Sequence, residues 1–290
     1  MLIPLPNSFG DAATNMAIDA ALLETIPTGC AIFRHYGWLE PAATFGYAQK
    51  HASVVQQLAP DNETPTPPHA AVIRRLTGGG IVDHRNDWTY ALILHRSLPA
   101  TAEPATQLYR HIHQAIGRTL TALGIANQLA PCPKACQPTD PASRQSHPVS
   151  HTPYPISHIP HPLSHIPHPL SHIPHPISQI PHPRSHLPHH ASHCFRSPAA
   201  DDVLRPDGQK IAGAAMKRSR RSLLIQGSID RGALPDSFNF TAFQQHFSQQ
   251  IAEALQIKTG QLADIRPLFD SQRIEQEKTR FASRAWNQRR

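Results

Sequence analysis

The side chains best suited to chemistry in this sequence fall in three short stretches. Arg74-Arg75-Leu76-Thr77-Gly78-Gly79-Gly80, followed by His84, is the first. Three consecutive glycines carry a large backbone-entropy cost and mark a place where side chains would be in the way. Their N–H groups can receive carbonyl or anionic oxygens, with arginine charge beside them. A tight hairpin turn with incidental arginines accounts for the triplet equally well. Adjacent strand residues point to opposite faces, so Arg74 and Arg75 cannot both line a pocket. His84 reads either as a general base or as a hydrogen-bonded structural histidine. The second stretch begins at Lys210, in Lys-Ile-Ala-Gly, at the start of an apolar β run. An ammonium there either polarises a carbonyl and stabilises the oxyanion formed from it, or is a solvated strand end. The third is Cys194-Phe195, 16 residues before that lysine. A thiolate is a nucleophile, and a free cysteine of pKa ~8.5 needs an activating neighbour such as Lys210; a lone cysteine also serves as a small core residue. Cys30, on an apolar strand, reads as core.

The surrounding periodicity supplies elements to hold these groups. Residues 12–26 predict an amphipathic helix, with Met16, Ala20 and Leu23 on one stripe and Pro27 as its stop. Ala31–Tyr36 and Pro41–Gly46 read as strands, His51–Leu58 as two helical turns, and 60–68 as a Pro-rich loop. Around the glycines, Ala71-Val72-Ile73, Ile81-Val82 and Trp88–Leu94 are β-type runs. Residues 104–123 predict a helix with Pro104 in its first turn and Leu108, Ile112, Ile116, Leu120 and Leu123 on one face. Asp202–Leu204 and Gln209–Ala215 flank a Pro-Asp-Gly turn and read as a hairpin. Ser222–Ile229 is a further strand; Phe240 to Leu255 and residues 272–285 are further helices. Short strands mixed with several helices fit an α/β or an α+β domain, and periodicity does not choose between them.

Of the 290 residues, 21 are histidine and 30 proline, and 13 of those histidines lie between His147 and His193. Ser150–Ala191 holds six copies of a seven-residue unit, best seen as Ser-His-Ile-Pro-His-Pro-Leu. Two prolines per unit forbid the coiled coil that a period of seven invites, leaving polyproline II or disorder. Such a tract, with Cys132 and Cys136, could bind metal, or it is a repeat expansion tolerated in a surface loop. Setting about 60 residues aside leaves about 230, enough for one globular domain. The expected organisation is one domain from 1–130 and 194–290, interrupted by a low-complexity insertion at 131–193. The formal charge of +7 comes mostly from runs such as Lys217, Arg218, Arg220 and Arg221, which suit acidic protein partners or a solvated surface. Four scattered cysteines make no disulfide framework. The first residues lack a signal-peptide pattern, and no run reaches the ~20 apolar residues of a membrane span. A cytoplasmic setting is expected.

Taken in order, these stretches resemble the lipoate–protein ligase and octanoyltransferase superfamily, which also contains the biotin–protein ligases. The resemblance rests on Asn15-Met16-Ala17-Ile18-Asp19, Thr44-Phe45-Gly46-Tyr47-Ala48-Gln49, the Arg74–Gly80 segment with His84, Lys210-Ile211-Ala212-Gly213, Gln226-Gly227-Ser228-Ile229 and Ser283-Arg284-Ala285-Trp286-Asn287. It implies an α+β fold like the class II aminoacyl-tRNA synthetases and biotin synthetases, a mixed β-sheet with flanking helices. It further implies a tunnel in which the arginine–glycine segment curves around an acyl chain and the lysine reaches the acyl carbonyl. On family position, Arg75, Thr77, Gly78, Gly79, Gly80, His84 and Gly213 are expected to bind substrate, Arg74 to be structural, and Asn15 and Asp19 to brace the first helix.

One branch of the superfamily carries a Cys-Phe pair near the place of Cys194-Phe195. That likeness implies a cysteine-dependent octanoyltransferase, with Cys194 and Lys210 catalytic. The octanoyl donor would be acyl-carrier protein and the acceptor the lysine of a lipoyl domain or of a glycine-cleavage H-type protein, with no nucleic acid or membrane partner. No cofactor or metal is expected on this route. Two departures stand out: Ala214 and Met216 occupy places where the family has serine and glutamine, and Arg-Asn-Asp-Trp-Thr-Tyr after His84 differs from the longer ligase form. The alternatives are an ATP- and magnesium-dependent lipoate–protein ligase acting through lipoyl-adenylate, and a non-catalytic, histidine-rich metal-binding protein on a degenerate ligase scaffold.

Overall fold

The computed structural model describes residues 1–59, 71–132 and 198–289. The Pro-rich loop at 60–68, Cys136, Cys194-Phe195 and all of the insertion beyond Cys132 lie outside the described residues.

Alternating apolar side chains build the centre. Strand β7 (Asp87–His95) turns Trp88, Tyr90, Leu92 and Leu94 to one face and Ala91 and Ile93 to the other, and both faces are buried. It pairs antiparallel with β3 (Ala31–Trp38) on one side and β11 (Ser222–Asp230) on the other. Beyond β11 follow β10 (Lys210–Arg218), β9 (Val203–Leu204) and β8 (Gln128–Leu129), all antiparallel. Two strands of three residues, β1 (Leu2–Pro4) and β2 (Ser8–Gly10), lie parallel along β3. They are too short to show alternation, which is why sequence patterning passes over them.

Helices cover both faces of this mixed sheet. On one, α3 (Ala105–Ala122) packs with α4 (Phe240–Ala254); Phe243 and Phe247 meet Trp88, and Phe247 also meets Phe33 and Tyr90 at ring-centroid distances of 5.2–6.5 Å. Pro104 is the N-cap of α3, not part of its first turn. On the other face lies α1 (Ala12–Thr25), capped by the Asp11 carboxylate, which accepts from Thr14 N at 2.7 Å. Ten of its fourteen residues are buried, so it is enclosed all round instead of presenting the expected single stripe. α5 (Ser271–Ala282) packs on it. Ser283 ends α5, and its hydroxyl accepts from Trp286 N to start α6 (Arg284–Asn287), splitting the helix expected over 272–285.

A second sheet holds the glycine segment. Its order is β5 (Ala71–Arg74), β4 (Ala42–Phe45), β6 (Val82–Asp83), with β4 central, parallel to β5 and antiparallel to β6. The triplet is therefore not a hairpin turn: the strands on either side of it pair with β4 and not with each other. Helix α2 (His51–Leu58) packs Val54 against Phe45 and Ile81. Arg74, 2% exposed, donates to the carbonyls of Tyr47, Gln49 (2.7 Å), Trp286 (3.2 Å), Asn287 (2.9 Å) and Arg289 (3.1 Å). Trp286 Nε1 returns a bond to Arg74 O at 2.7 Å. The last turn of the described chain thus pins β5. Among the described residues, no helix is long and apolar enough to cross a membrane.

Replacing Arg74 with methionine strands five carbonyls and should lower the free energy of unfolding by about 2–4 kcal/mol, read as a loss of urea midpoint at unchanged slope.

Candidate active site

Register sets the floor of a pocket between the two sheets. Gly213, Ser228, Thr89 and Tyr36 are successive cross-strand partners, and Ala215, Gln226, Ala91 and Arg34 form the neighbouring row. Paired residues share a face, so both rows look the same way. Thr44, Val82 and His84 from the smaller sheet line the pocket opposite them, with Arg75 and Gly79 from the glycine segment and Met16 from α1. The free space is about 50 Å³, on the order of one or two water molecules.

The neighbouring arginines separate as strand geometry requires: Arg74 leaves the pocket for the C-terminal segment, and Arg75 lines it. Arg75 Nη2 donates to Gly78 O at 2.6 Å and Gly80 O at 2.8 Å, Nε to Thr77 Oγ1 at 3.1 Å, and Nη1 to Thr44 Oγ1 at 3.3 Å. The guanidinium therefore holds the glycine segment curled around itself. Of the three glycines only Gly79 lines the pocket; its φ of +84° is the left-handed conformation that disfavours a side chain. Its carbonyl lies 2.1 Å from where a Cβ on Gly46 would stand, so the segment packs backbone to backbone on the end of β4. Gly78 and Gly80 contribute carbonyls to Arg75.

Thr77 continues the bonding inward, donating to Gln226 Oε1 at 2.8 Å, while Gln226 Nε2 donates to Asp19 Oδ2 at 2.8 Å. Asp19, fully buried, also takes Arg34 Nη1 at 2.7 Å and the Tyr36 hydroxyl at 3.1 Å. Asn15 bonds Arg34 and the carbonyls of Gly10 and Gly37, so both buried polar residues of α1 brace the pocket wall. On the other side, His84 stacks on Trp38 at 3.9 Å and is hydrogen bonded through both ring nitrogens, Nε2 to Thr44 Oγ1 at 2.9 Å and Nδ1 to Asp87 Oδ2 at 2.7 Å. Because the Asp87 carboxylate oxygen can only accept, the network assigns a proton to His84 Nδ1.

Lys210 is 4% exposed, and its Nζ meets Asp202 Oδ2 at 2.7 Å. A Cβ on Gly213 would stand 2.6 Å from Lys210 Cε and Nζ, so glycine three residues on lets the side chain fold across its own strand to the pocket wall. Asp202, with no exposed surface, also accepts from Tyr109 OH at 2.6 Å and from Ala199 N at 2.6 Å. Burial, and then the Asp202 charge, push the Tyr109 phenol well above its ordinary pKa, which keeps it a donor. Sequence reading did not assign Asp202, Tyr109 or Asp87 to the site. Each looks like an ordinary cap, helix or turn residue, and their partners lie elsewhere in the chain. Cys194, the expected nucleophile, is outside the described residues.

Residues 11–140 match the family described as the lipoyl protein ligase A/B catalytic domain. Octanoyltransferase LipM of Kyrpidia tusciae is 34% identical over 121 residues, 40% of this chain and 41% of its own. Octanoyltransferase LipM of Geobacillus kaustophilus is 36% identical over 115 residues, covering 39% and 40%. The chain thus matches about two fifths of the length of these curated relatives. Among solved structures, lipoate-protein ligase A bound with ATP superposes with a TM-score of 0.61 at 15% identity, covering 99% of this chain and 97% of the other. The bipartite lipoate protein ligase of Thermoplasma acidophilum gives 0.55 at 14% identity, covering 99% and 96%. At such identities the likeness is one of fold, and it bears out the expected α+β class with a mixed sheet and flanking helices. With the family match and the relatives, it also bears out the resemblance to the lipoate–protein ligase and octanoyltransferase superfamily.

Beside Tyr109, the fully buried His113 gives its Nδ1 to Asp201 O at 2.8 Å, and burial pushes its pKa down to about 4 from 6.5. The unfolded chain takes up this proton below pH 6.5 and the folded chain does not until about 4. Stability from this group is therefore complete above pH 6.5 and lost as pH falls, by about 1.4 kcal/mol per pH unit. Urea unfolding between pH 7 and 4.5 should show that slope reduced by about one proton in His113→Gln.

Proposed function

We propose that this chain is an acyltransferase that moves an octanoyl group from acyl-carrier protein to the lysine of a lipoyl domain or of a glycine-cleavage H-type protein, through a thioester on Cys194. The observation that carries the reading is the buried ammonium of Lys210, held by Asp202 and folded over Gly213 at the wall of a pocket between two sheets. The octanoyltransferase names of the relatives support the acyl group. The sequence position of Cys194 supports the covalent route. Ala199 is bonded to the same carboxylate oxygen as Lys210, and Cys194 precedes it by five residues, a reach of at most about 18 Å of extended chain.

In the first step the Cys194 thiolate attacks the thioester carbonyl of the donor. The Lys210 ammonium stabilises the oxyanion as it forms, and the carrier's thiolate departs and takes up a proton. In the second, the neutral amine of the acceptor lysine attacks the enzyme thioester; nitrogen loses its proton, an amide forms and the Cys194 thiolate is released. Exchange of one thioester for another is close to isoenergetic and amide formation is downhill, so the cycle needs no ATP. Asp202 acts as a positioning residue, fixing the ammonium where the oxygen develops charge. Acidic partner proteins fit the cationic Lys217 and Arg289, which stand 5.2 Å and 3.7 Å from the Tyr47 ring; Lys217 is two residues along β10 from the pocket residue Ala215.

Incubation with octanoyl-carrier protein in the absence of ATP should add one octanoyl group to the intact mass, removable by hydroxylamine, and Cys194→Ser should gain none. A wild-type chain that stays unmodified and modifies a lipoyl domain only with lipoate and ATP would establish the adenylate route instead. Gly213→Ala, which drives a methyl group into the Lys210 side chain, should slow acyl transfer by about 100-fold in single-turnover measurements with the fold retained.

A further inference from the structure

An acyl pocket should present hydrocarbon, yet this one is lined by Thr44, His84, Thr89, Gln226 and Ser228, all hydrogen-bonding side chains. An unmet donor facing an alkyl chain costs free energy, and a donor facing the lumen would favour a hydroxylated chain over a plain one. Each of these groups is committed elsewhere. Gln226 is divided between Thr77 and Asp19, and Thr44 lies between Arg75 and His84. The remaining three donors converge on a single oxygen: Asp87 Oδ2 takes His84 Nδ1 at 2.7 Å, Thr89 Oγ1 at 3.0 Å and the Ser228 hydroxyl. The Thr89 hydroxyl is also filled as an acceptor, by Trp38 Nε1 at 2.9 Å. The Asp87 side chain is 1% exposed and precedes Thr89 by two residues on β7, just past the end of the pocket floor; its second oxygen, Oδ1, is buried with no hydrogen-bond partner among the described residues.

We infer that Asp87 is the specificity-determining residue of this pocket: by drawing the donors of His84, Thr89 and Ser228 to itself, it turns a polar wall into one that accepts an unsubstituted acyl chain and rejects a hydroxylated one. The inference rests on the acyl-pocket reading above and adds to it the chemical class of chain selected. Thr89 and Ser228 are cross-strand neighbours in the row that begins at Gly213, where the Lys210 ammonium sits. The line from Lys210 toward Tyr36 passes both hydroxyls, Ser228 and then Thr89, and the free space of about 50 Å³ along it has to widen for an eight-carbon chain to follow it. With Asp87 in place such a chain passes over their carbon atoms. Without it, two hydroxyl donors and an imidazole turn to the lumen.

Binding to the full chain, measured by calorimetry with octanoic acid and with octanoic acids bearing one hydroxyl at successive carbons, tests this. The wild type should prefer the plain acid by about 100-fold over each hydroxylated one. Asp87→Asn should bring that ratio below about tenfold for at least one of them. Adding Ser228→Ala to Asp87→Asn, which deletes one freed hydroxyl, should restore much of the preference. Ser228→Ala alone should leave the ratio within about twofold, because that hydroxyl does not face the ligand in the wild type. A folded Asp87→Asn with the wild-type ratio, or a ratio already lost in Ser228→Ala, would overturn the inference while the acyl-pocket reading stands. A wild-type chain that binds none of the acids would overturn the inference, and the octanoyl-carrier protein mass measurement decides the acyl-pocket reading separately.

Discussion

The two sheets are joined across the pocket by buried polar bonds as well as by hydrocarbon. Starting from the Arg34–Asp19 pair, a continuous run passes through Gln226, Thr77 and Arg75 to Thr44, His84 and Asp87. It begins on β3 and α1, crosses β11, enters the glycine segment, and returns to β7 through the smaller sheet. Each member bonds the next, and among these side chains only the Asp87 Oδ1 atom is buried without a partner among the described residues, so the run ties the two sheets together at the cost of one unmet acceptor at its end. The curl of the glycine segment depends on the same run, because its carbonyls close on a guanidinium whose other bonds are to Thr77 and Thr44.

Within that frame the pocket has two regimes. At the Gly213 end there is fixed charge: an ammonium and a carboxylate in contact, steadied by a phenol that stays protonated. Along the floor the hydroxyl and imidazole donors of Ser228, Thr89 and His84 are spent on the Asp87 carboxylate. The first regime suits a carbonyl that becomes an oxyanion, and the second suits the alkyl chain attached to it.

Much of the scaffold is legible in the sequence because it is local. The alternation of β7, the stripe of α3 and the opposite faces of Arg74 and Arg75 all follow from the strand and helix periods. The burial of Lys210 and its approach to the pocket follow from the motif only once Gly213 is seen as the space its side chain crosses. What sequence patterning misses is what depends on distant partners. β5 and β6 look like a hairpin because the triplet between them is turn-like, but the strand they both pair with, β4, lies earlier in the chain. α1 looks amphipathic because nothing in its own residues announces that α5 and the smaller sheet cover its far side. Asp202 and Tyr109 meet across 93 positions, beyond the reach of any local pattern.

The histidine–proline tract leaves and rejoins the domain at a seam that the fold closes by itself. Gln128 and Leu129 pair with Leu204 and Val203, and Ala130 N donates to Asp202 O at 2.7 Å, so the two ends of residues 133–197 are stitched together before the tract begins. As a bare loop-closure term, one seven-residue unit more or less between those ends changes the entropic cost of closing the seam by only about 0.1 kcal/mol. The same stitch includes the residue whose carboxylate grips Lys210.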